Sequence, residues 1–370
     1  MLLKEICSFS KGLQVKRDLT STDYDIPYLH YGDLYKKYNV NLKLNEEYNK
    51  IIKVNRDCYN IRYQIDNNNI VMNLTSENYD DLGKCVIIKN PKNTPFIAGM
   101  ETHLIKIHSQ LIIPEYLNYY FESSRFLQTI HQFITGMKVF RVKPDDILNI
   151  NITLPNLRYQ QHIVDIIGSI DDKIENNNKI IEKIDKLGVI KYKLLNDTFD
   201  EFCNFAIFKK GKEALSQNYT EKNNNDNINF IRVKDLNSLT NTYIPKNLNI
   251  PIANPSDILI SFDGAIGRIN YGLYGAYSSG IYKVIPCFKN NYGILYWTLK
   301  DNYNQQIMLE HTNGTTILHG AKAIPYLKIK KHSSKDIDFY NNIFNYSLNI
   351  KLENIKLNIL KQLYLKKFFR

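Results

Sequence analysis

The chain has 370 residues, 44% hydrophobic and 23% charged, an ordinary balance for a globular protein with room for more than one core. No apolar run approaches the roughly 18 residues of a membrane span, and Lys4 and Glu5 stand where a secretory peptide needs an apolar core, so the expected compartment is the cytoplasm. Five isolated cysteines (Cys7, Cys58, Cys85, Cys203, Cys287) argue against a disulfide framework and a structural zinc site, and a net charge of +11 points to a polyanionic partner, nucleic acid first.

In chain order, Ile26-Pro-Tyr-Leu-His-Tyr predicts a strand that enters a turn at Gly32-Asp33. Residues 61–108 alternate turn residues with β-rich runs at Asn69-Ile-Val-Met-Asn, Lys84-Cys-Val-Ile-Ile-Lys and Thr102-His-Leu-Ile-Lys-Ile. Pro114 opens a helical stretch, a basic loop occupies residues 135–143, and residues 147–154 read as a last strand before Pro155. Then Ile163, Ile166, Ile167, Ile170, Ile174, Ile181, Ile184, Leu187 and Leu194 recur at spacings of three, four and seven. They predict one apolar stripe on a helix of about 30 residues, roughly 45 Å long. Gly168, Gly188 and the Asn176-Asn-Asn run weaken that helix locally, so packing must hold it.

Residues 204–330 repeat the recipe. Ile228-Asn-Phe-Ile-Arg parallels Ile26-Pro-Tyr-Leu, Gly293-Ile-Leu-Tyr-Trp parallels Tyr116-Leu-Asn-Tyr-Tyr, and Asn313-Gly-Thr-Thr parallels Thr135-Gly-Met-Lys. The proline-free tract after residue 335 carries a second stripe. With an offset of about 176 residues it sets Ile343, Ile350, Leu357, Leu360 and Leu363 against Ile167, Ile174, Ile181, Ile184 and Leu187. The offset is about 202 early in the halves, so the first globular domain is some two dozen residues longer. The expected fold is α+β, with two mixed α/β domains each followed by a long helix. The helices pair as an antiparallel coiled coil with pseudo-two-fold symmetry. The segments are 1–155, 156–203, 204–332 and 333–370.

Catalytic signatures are missing. There is no P-loop, Gly-x-Gly-x-x-Gly, Asn/Asp-Pro-Pro-aromatic or His-Glu-x-x-His string, and the eight histidines are dispersed, with His103 and His108 read as satisfied or solvent-exposed. Pro144-Asp145 with Asp171-Asp172-Lys173 imitates a metal-dependent nuclease and supplies the alternative reading, a stand-alone DNA endonuclease. Asp171 and Lys173 are two apart on a helix and do not share a face, so a solvent face or docking surface is the better reading. The Ser261-Phe-Asp-Gly-Ala-Ile-Gly stretch reads either as a turn that offers backbone amides to phosphate or as a purely structural turn.

Leu154-Pro-Asn-Leu-Arg-Tyr-Gln-Gln-His, running into Ile170-Asp-Asp-Lys-Ile, together with Ile26-Pro-Tyr-Leu, Ile228-Asn-Phe-Ile-Arg and Gly264-Ala-Ile-Gly267, resembles the specificity subunit of type I restriction–modification enzymes. The second junction departs from that pattern, with Lys330-Lys-His-Ser-Ser in place of the proline and glutamines. The resemblance implies a non-catalytic DNA-reading chain. Each target recognition domain reads half of a split double-stranded target. The helices act as a spacer and dock two modification subunits, which use S-adenosylmethionine, and a restriction (motor-nuclease) subunit joins for cleavage. No cofactor is expected in this chain. The DNA-contact candidates are Lys138, Arg141 and Arg62 in the first domain, and Arg232, Gly264, Arg268, Thr315, Thr316 and His319 in the second.

Overall fold

A computed structural model describes every residue except 37, 39, 222, 238–241, 289–290 and 315–317. The chain divides into two compact units, Met1–Lys173 with Leu357–Arg370, and Ile174–Lys356. The division falls inside both long helices, the central one (Leu157–Lys193) and the terminal one (Ser334–Phe368), so each unit is a globular part plus a piece of each helix.

In the first unit, β1 (Cys7–Lys11), β2 (Asn41–Lys43), β3 (Ile70–Asn73), β4 (Cys85–Lys89) and β5 (Thr102–Ile107) form a sheet in the order β1-β5-β3-β4-β2. Only β2 pairs in parallel, with β4. The near-continuous apolar runs of β3, β4 and β5 follow from burial on both faces. Ile70, Met72, Ile87 and Ile105 point into one core, and Val71, Val86, Ile88 and Leu104 into the other. Two helices cover the first face, α1 (Pro114–Glu122) and α2 (Ser124–His131). The single helical stretch expected here is broken at Ser123, whose hydroxyl accepts from the Phe126 amide and caps α2. Residues 147–154 are not the expected strand. Pro144 starts a short helix, Pro144–Leu148, with Asp145 and Asp146 in its first turn, where the helix dipole favours acids. Likewise Gly32 and Asp33 lie in a helix, Tyr31–Lys36, rather than a turn.

The second unit repeats this plan. β6 (Ala206–Lys210), β7 (Ile258–Ser261), β8 (Ile269–Asn270) and β9 (Ile281–Pro286) form an antiparallel sheet in the order β6-β9-β7-β8. It is covered by α3 (Tyr292–Lys300) and α4 (Asn302–Glu310), the latter capped by Asp301. Each unit also has a four-stranded second sheet with one parallel pair, Tyr28↔Ile97 in the first and Phe230↔Ala276 in the second.

The helix starts explain both junctions. Asn156 accepts from the Tyr159 amide at 2.9 Å, and buried Gln160 accepts from the Ile113 amide while donating to the Leu111 and Pro155 carbonyls. At the divergent second junction, Ser333 and Asp336 satisfy each other's backbone amides in a reciprocal cap.

Within each unit the two helices run antiparallel. In the first, Tyr159 meets Phe368, and Asp171 meets Lys361. In the second, Asn177 bonds Asn354, Tyr340 donates to the Gly188 carbonyl, and Lys191 pairs with Asp336. The buried positions recur 177 residues apart, Ile163 with Tyr340, Ile167 with Phe344, Ile170 with Ser347, Asn177 with Asn354, Ile184 with Lys361, Gly188 with Leu365 and Tyr192 with Phe369. The register is therefore one residue off the 176 expected from the aliphatic stripes. As a result Leu187, Leu360 and Leu363 are exposed, Ile174, Ile181, Ile343 and Leu357 are half-buried, and Ile167, Ile184 and Ile350 are buried.

Candidate nucleic-acid interface

In the first unit, residues 135–141 form a loop closed by reciprocal backbone bonds of 2.9 Å between Thr135 and Arg141. Phe140-Arg141 pairs with a separate short strand, Thr75-Ser76, just beyond β3. Tyr79 braces this junction against the His131 and Phe140 rings. Gly136 takes φ +101°, and a Cβ there would lie 2.1 Å from the Val139 carbonyl, so only glycine fits the turn. Met137, 95% exposed, stands at the tip with Lys138, and the Arg141 side chain is also exposed. Arg62 lies elsewhere, on an exposed turn whose amide is held by the Asn60 side chain.

In the second unit the ends of the segment 313–319 are closed in the same way, by reciprocal bonds of 3.1 and 2.8 Å between Asn313 and His319. Gly314 has φ +104°, matching Gly136. The His319 Nδ1 lies 2.8 Å from Asp263, a residue with no obvious role in the sequence, and Lys210 lies 3.8 Å from the other Asp263 oxygen. Thr315 and Thr316 fall outside the described residues.

Three sequence expectations change here. The Gly264 amide donates to the Leu318 carbonyl and the Gly267 amide to the Ser261 carbonyl, so this turn does not present those amides to phosphate. The Arg232 guanidinium donates to Asp235 and Thr242 and lies over the Tyr219 ring, which makes it a structural tie. Arg268 remains exposed, with its backbone amide on the Ser261 hydroxyl. His103, read as satisfied or exposed, is buried with no partner on Nδ1. Burial and then the Lys11 charge push its pKa down to about 4, so the ring is neutral.

The acidic run on the central helix is not a solvent face at Asp171. Its carboxylate accepts from the Tyr119 hydroxyl at 2.9 Å and pairs with buried Lys361 at 3.0 Å, while Lys361 also pairs with Glu122 at 2.7 Å. Burial raises Glu122 to about 7 against the pull of Lys361, and Asp171 adds to the rise. The second unit has a different clamp, in which Asp185 accepts from Lys300 and Tyr296. Lys351 lies 3.8 Å over the Tyr271 ring, and burial lowers it to about 8 despite Asp185. Among the described residues no cluster of His, Cys, Asp and Glu is arranged to hold a metal, and no helix is long and apolar enough to cross a membrane. With Asp171 engaged by Tyr119 and Lys361, the nuclease alternative has no support.

Residues 1–186 match the family model described as the type I restriction modification DNA specificity domain. The chain belongs to that family. In fold it is similar to the type I restriction–modification S subunit from M. genitalium, at 15% identity and a TM-score of 0.54, covering 100% of this chain and 95% of that one. Lower scores, 0.34 and 0.38, are found with the HsdS subunit from Thermoanaerobacter tengcongensis and with a structure described by complex assembly and conformational transition of the type I system. Both are 16% identical and cover 100% of this chain, with 96% and 97% of theirs. No curated protein matches the sequence. Membership of this family makes the chain a DNA-recognition component of a type I restriction–modification system.

Proposed function

We propose that the chain reads a split double-stranded DNA target, one half-site per unit, and sets the gap with its paired helices. The observation that carries this reading is the duplicated loop. Residues 135–141 and 313–319 have the same closure and the same glycine turn, but differ in the side chains they present. Two mounts closed alike but carrying different side chains suit two different half-sites. Lys138, Arg268 and the +11 net charge supply the phosphate attraction.

The methyl transfer belongs to modification subunits that bring S-adenosylmethionine, and a restriction subunit joins for cleavage. Each unit leaves large apolar side chains uncovered on a long helix, Ile359, Leu360 and Leu363 in the first and Leu187 and Ile190 in the second, with exposed Leu194 just past the helix end. Two such strips suit two modification subunits.

The test is to map methylated sites in cells that carry this chain and its modification partner. A single bipartite motif is expected. Exchanging residues 204–332 for those of another family member should change one half-site and leave the other intact. Change in both halves, or a continuous motif, would overturn the reading.

A further inference from the structure

Arg141 and His319 hold the same structural position. Each ends a seven-residue loop, and each is tied to the loop's first residue by two backbone hydrogen bonds. Each is also bridged to the residue two places beyond the end of a central strand. Arg141 is bridged to Thr75 beyond β3, and His319 to Asp263 beyond β7. Both side chains are exposed although their backbones are pinned from two sides. An exposed side chain on a rigid mount suits reading of a base edge, where displacement by about 1 Å loses the contact.

The two side chains have opposite hydrogen-bonding character. Arginine carries donors only, and its fork matches the O6 and N7 acceptors of guanine in the major groove. His319 is prepared differently. The Asp263 carboxylate only accepts, so at 2.8 Å it holds a proton on the His319 Nδ1, and with a single ring proton this is the tautomer it selects. Nε2 is then an acceptor on a side chain that is 61% exposed. Its complement in the groove is an amino group, N4 of cytosine or N6 of adenine.

Resting on the DNA-reading function above, we propose that residues 141 and 319 are letter-setting positions of the two half-sites, Arg141 donating to a guanine and His319 accepting from the amino group of a cytosine or adenine.

The experiment maps methylated sites in cells that carry the full chain with its modification subunit, for wild type, Arg141→Ala, His319→Ala, His319→Arg and Asp263→Asn. Arg141→Ala should relax one guanine in one half-site. His319→Ala should relax one position in the other. Discrimination at each position should fall roughly 5- to 150-fold, the loss of one base-edge pairing. His319→Arg should bring guanine in at that second position. Asp263→Asn should alter the same letter as His319→Ala, because an amide can donate to Nδ1 and shift the proton to Nε2. If His319→Ala lowers the melting temperature of the purified chain, His319→Arg and Asp263→Asn read the same position with a polar side chain retained.

An unchanged motif in the alanine variants overturns the proposal. So does a uniform loss of methylation with no letter altered, which would mark these residues as phosphate contacts. A wild-type chain that directs no bipartite methylation defeats the DNA-reading function itself, a result distinct from either.

Discussion

Lys361 is 5% exposed and balances two carboxylates, Glu122 and Asp171. Lys361→Met should destabilise the chain by roughly 3–5 kcal/mol, since it leaves buried charge uncompensated. Urea unfolding measures this, and a loss under about 1 kcal/mol would mean that the cluster is hydrated. Glu122 also gives the cluster a pH signature. Its pKa is raised from an ordinary 4.5 to about 7, so the folded chain holds this proton more tightly than the unfolded chain. Its contribution is therefore full below about pH 4.5 and is lost as pH rises through 7. Between pH 5 and pH 8 the wild type should lose more stability than Glu122→Gln; parallel profiles would refute this. The two helical glycines predict opposite signs. A Cβ on Gly188 would lie 2.0 Å from the indole nitrogen of buried Trp297, so Gly188→Ala should cost roughly 1–3 kcal/mol. At Gly168 the nearest atom would be the Tyr119 hydroxyl at 3.6 Å, so Gly168→Ala should stabilise by up to about 1 kcal/mol. Equal effects in thermal melts would refute the packing account.

At the scale of elements, the helix seam is more polar than its sequence suggests. Asn177 is 2% exposed and donates to Asn354 and Glu353, both at 2.8 Å, while Asn354 donates to Asn178 at 2.9 Å. A buried asparagine sets register at some cost in stability. Asn177→Leu alone should lose roughly 1–3 kcal/mol, because the buried Asn354 carbonyl oxygen loses its Asn177 donor. Adding Asn354→Leu should recover most of that loss. A double variant no better than the single one would show that the pair does not act as a unit. The same seam shows what was legible in the sequence. The long helices were, because an isoleucine every third or fourth residue is unmistakable. Their register was not, because the seam positions also include Asn177, Gly188, Tyr192 and Lys361, which no aliphatic stripe contains. Residues 147–154 failed for a related reason. A short β-branched run reads as a strand unless the Pro144-Asp-Asp start signal is given priority.

For the whole molecule, the duplication was legible because order and offset persist where single matches are weak. The candidate site was half legible. The two loops were visible as glycine-bearing, polar segments. Asp263 was not, since its pairing with His319 joins residues 56 apart in sequence, and neither that pairing nor the Gly264 bond to Leu318 leaves a local pattern, whereas the Arg232–Asp235 pair, three residues apart, does. On the proposed reading, in which the paired helices set the gap, the duplicated plan also dictates how they can be lengthened. Seam positions follow a seven-residue spacing from Ile163 and Ile170 through Asn177 to Ile184, and in the terminal helix from Tyr340 through Ser347 and Asn354 to Lys361. A seven-residue insertion in one helix alone would throw Asn177 out of step with Asn354. Matched seven-residue insertions, in both helices, keep the stripe and lengthen the pair by about 10 Å, or about 3 base pairs of DNA. The methylated motif should then keep both half-sites and widen its gap by about that amount. An unchanged gap would separate helix length from target spacing, and altered half-site letters would place base reading in the helices rather than in the loops.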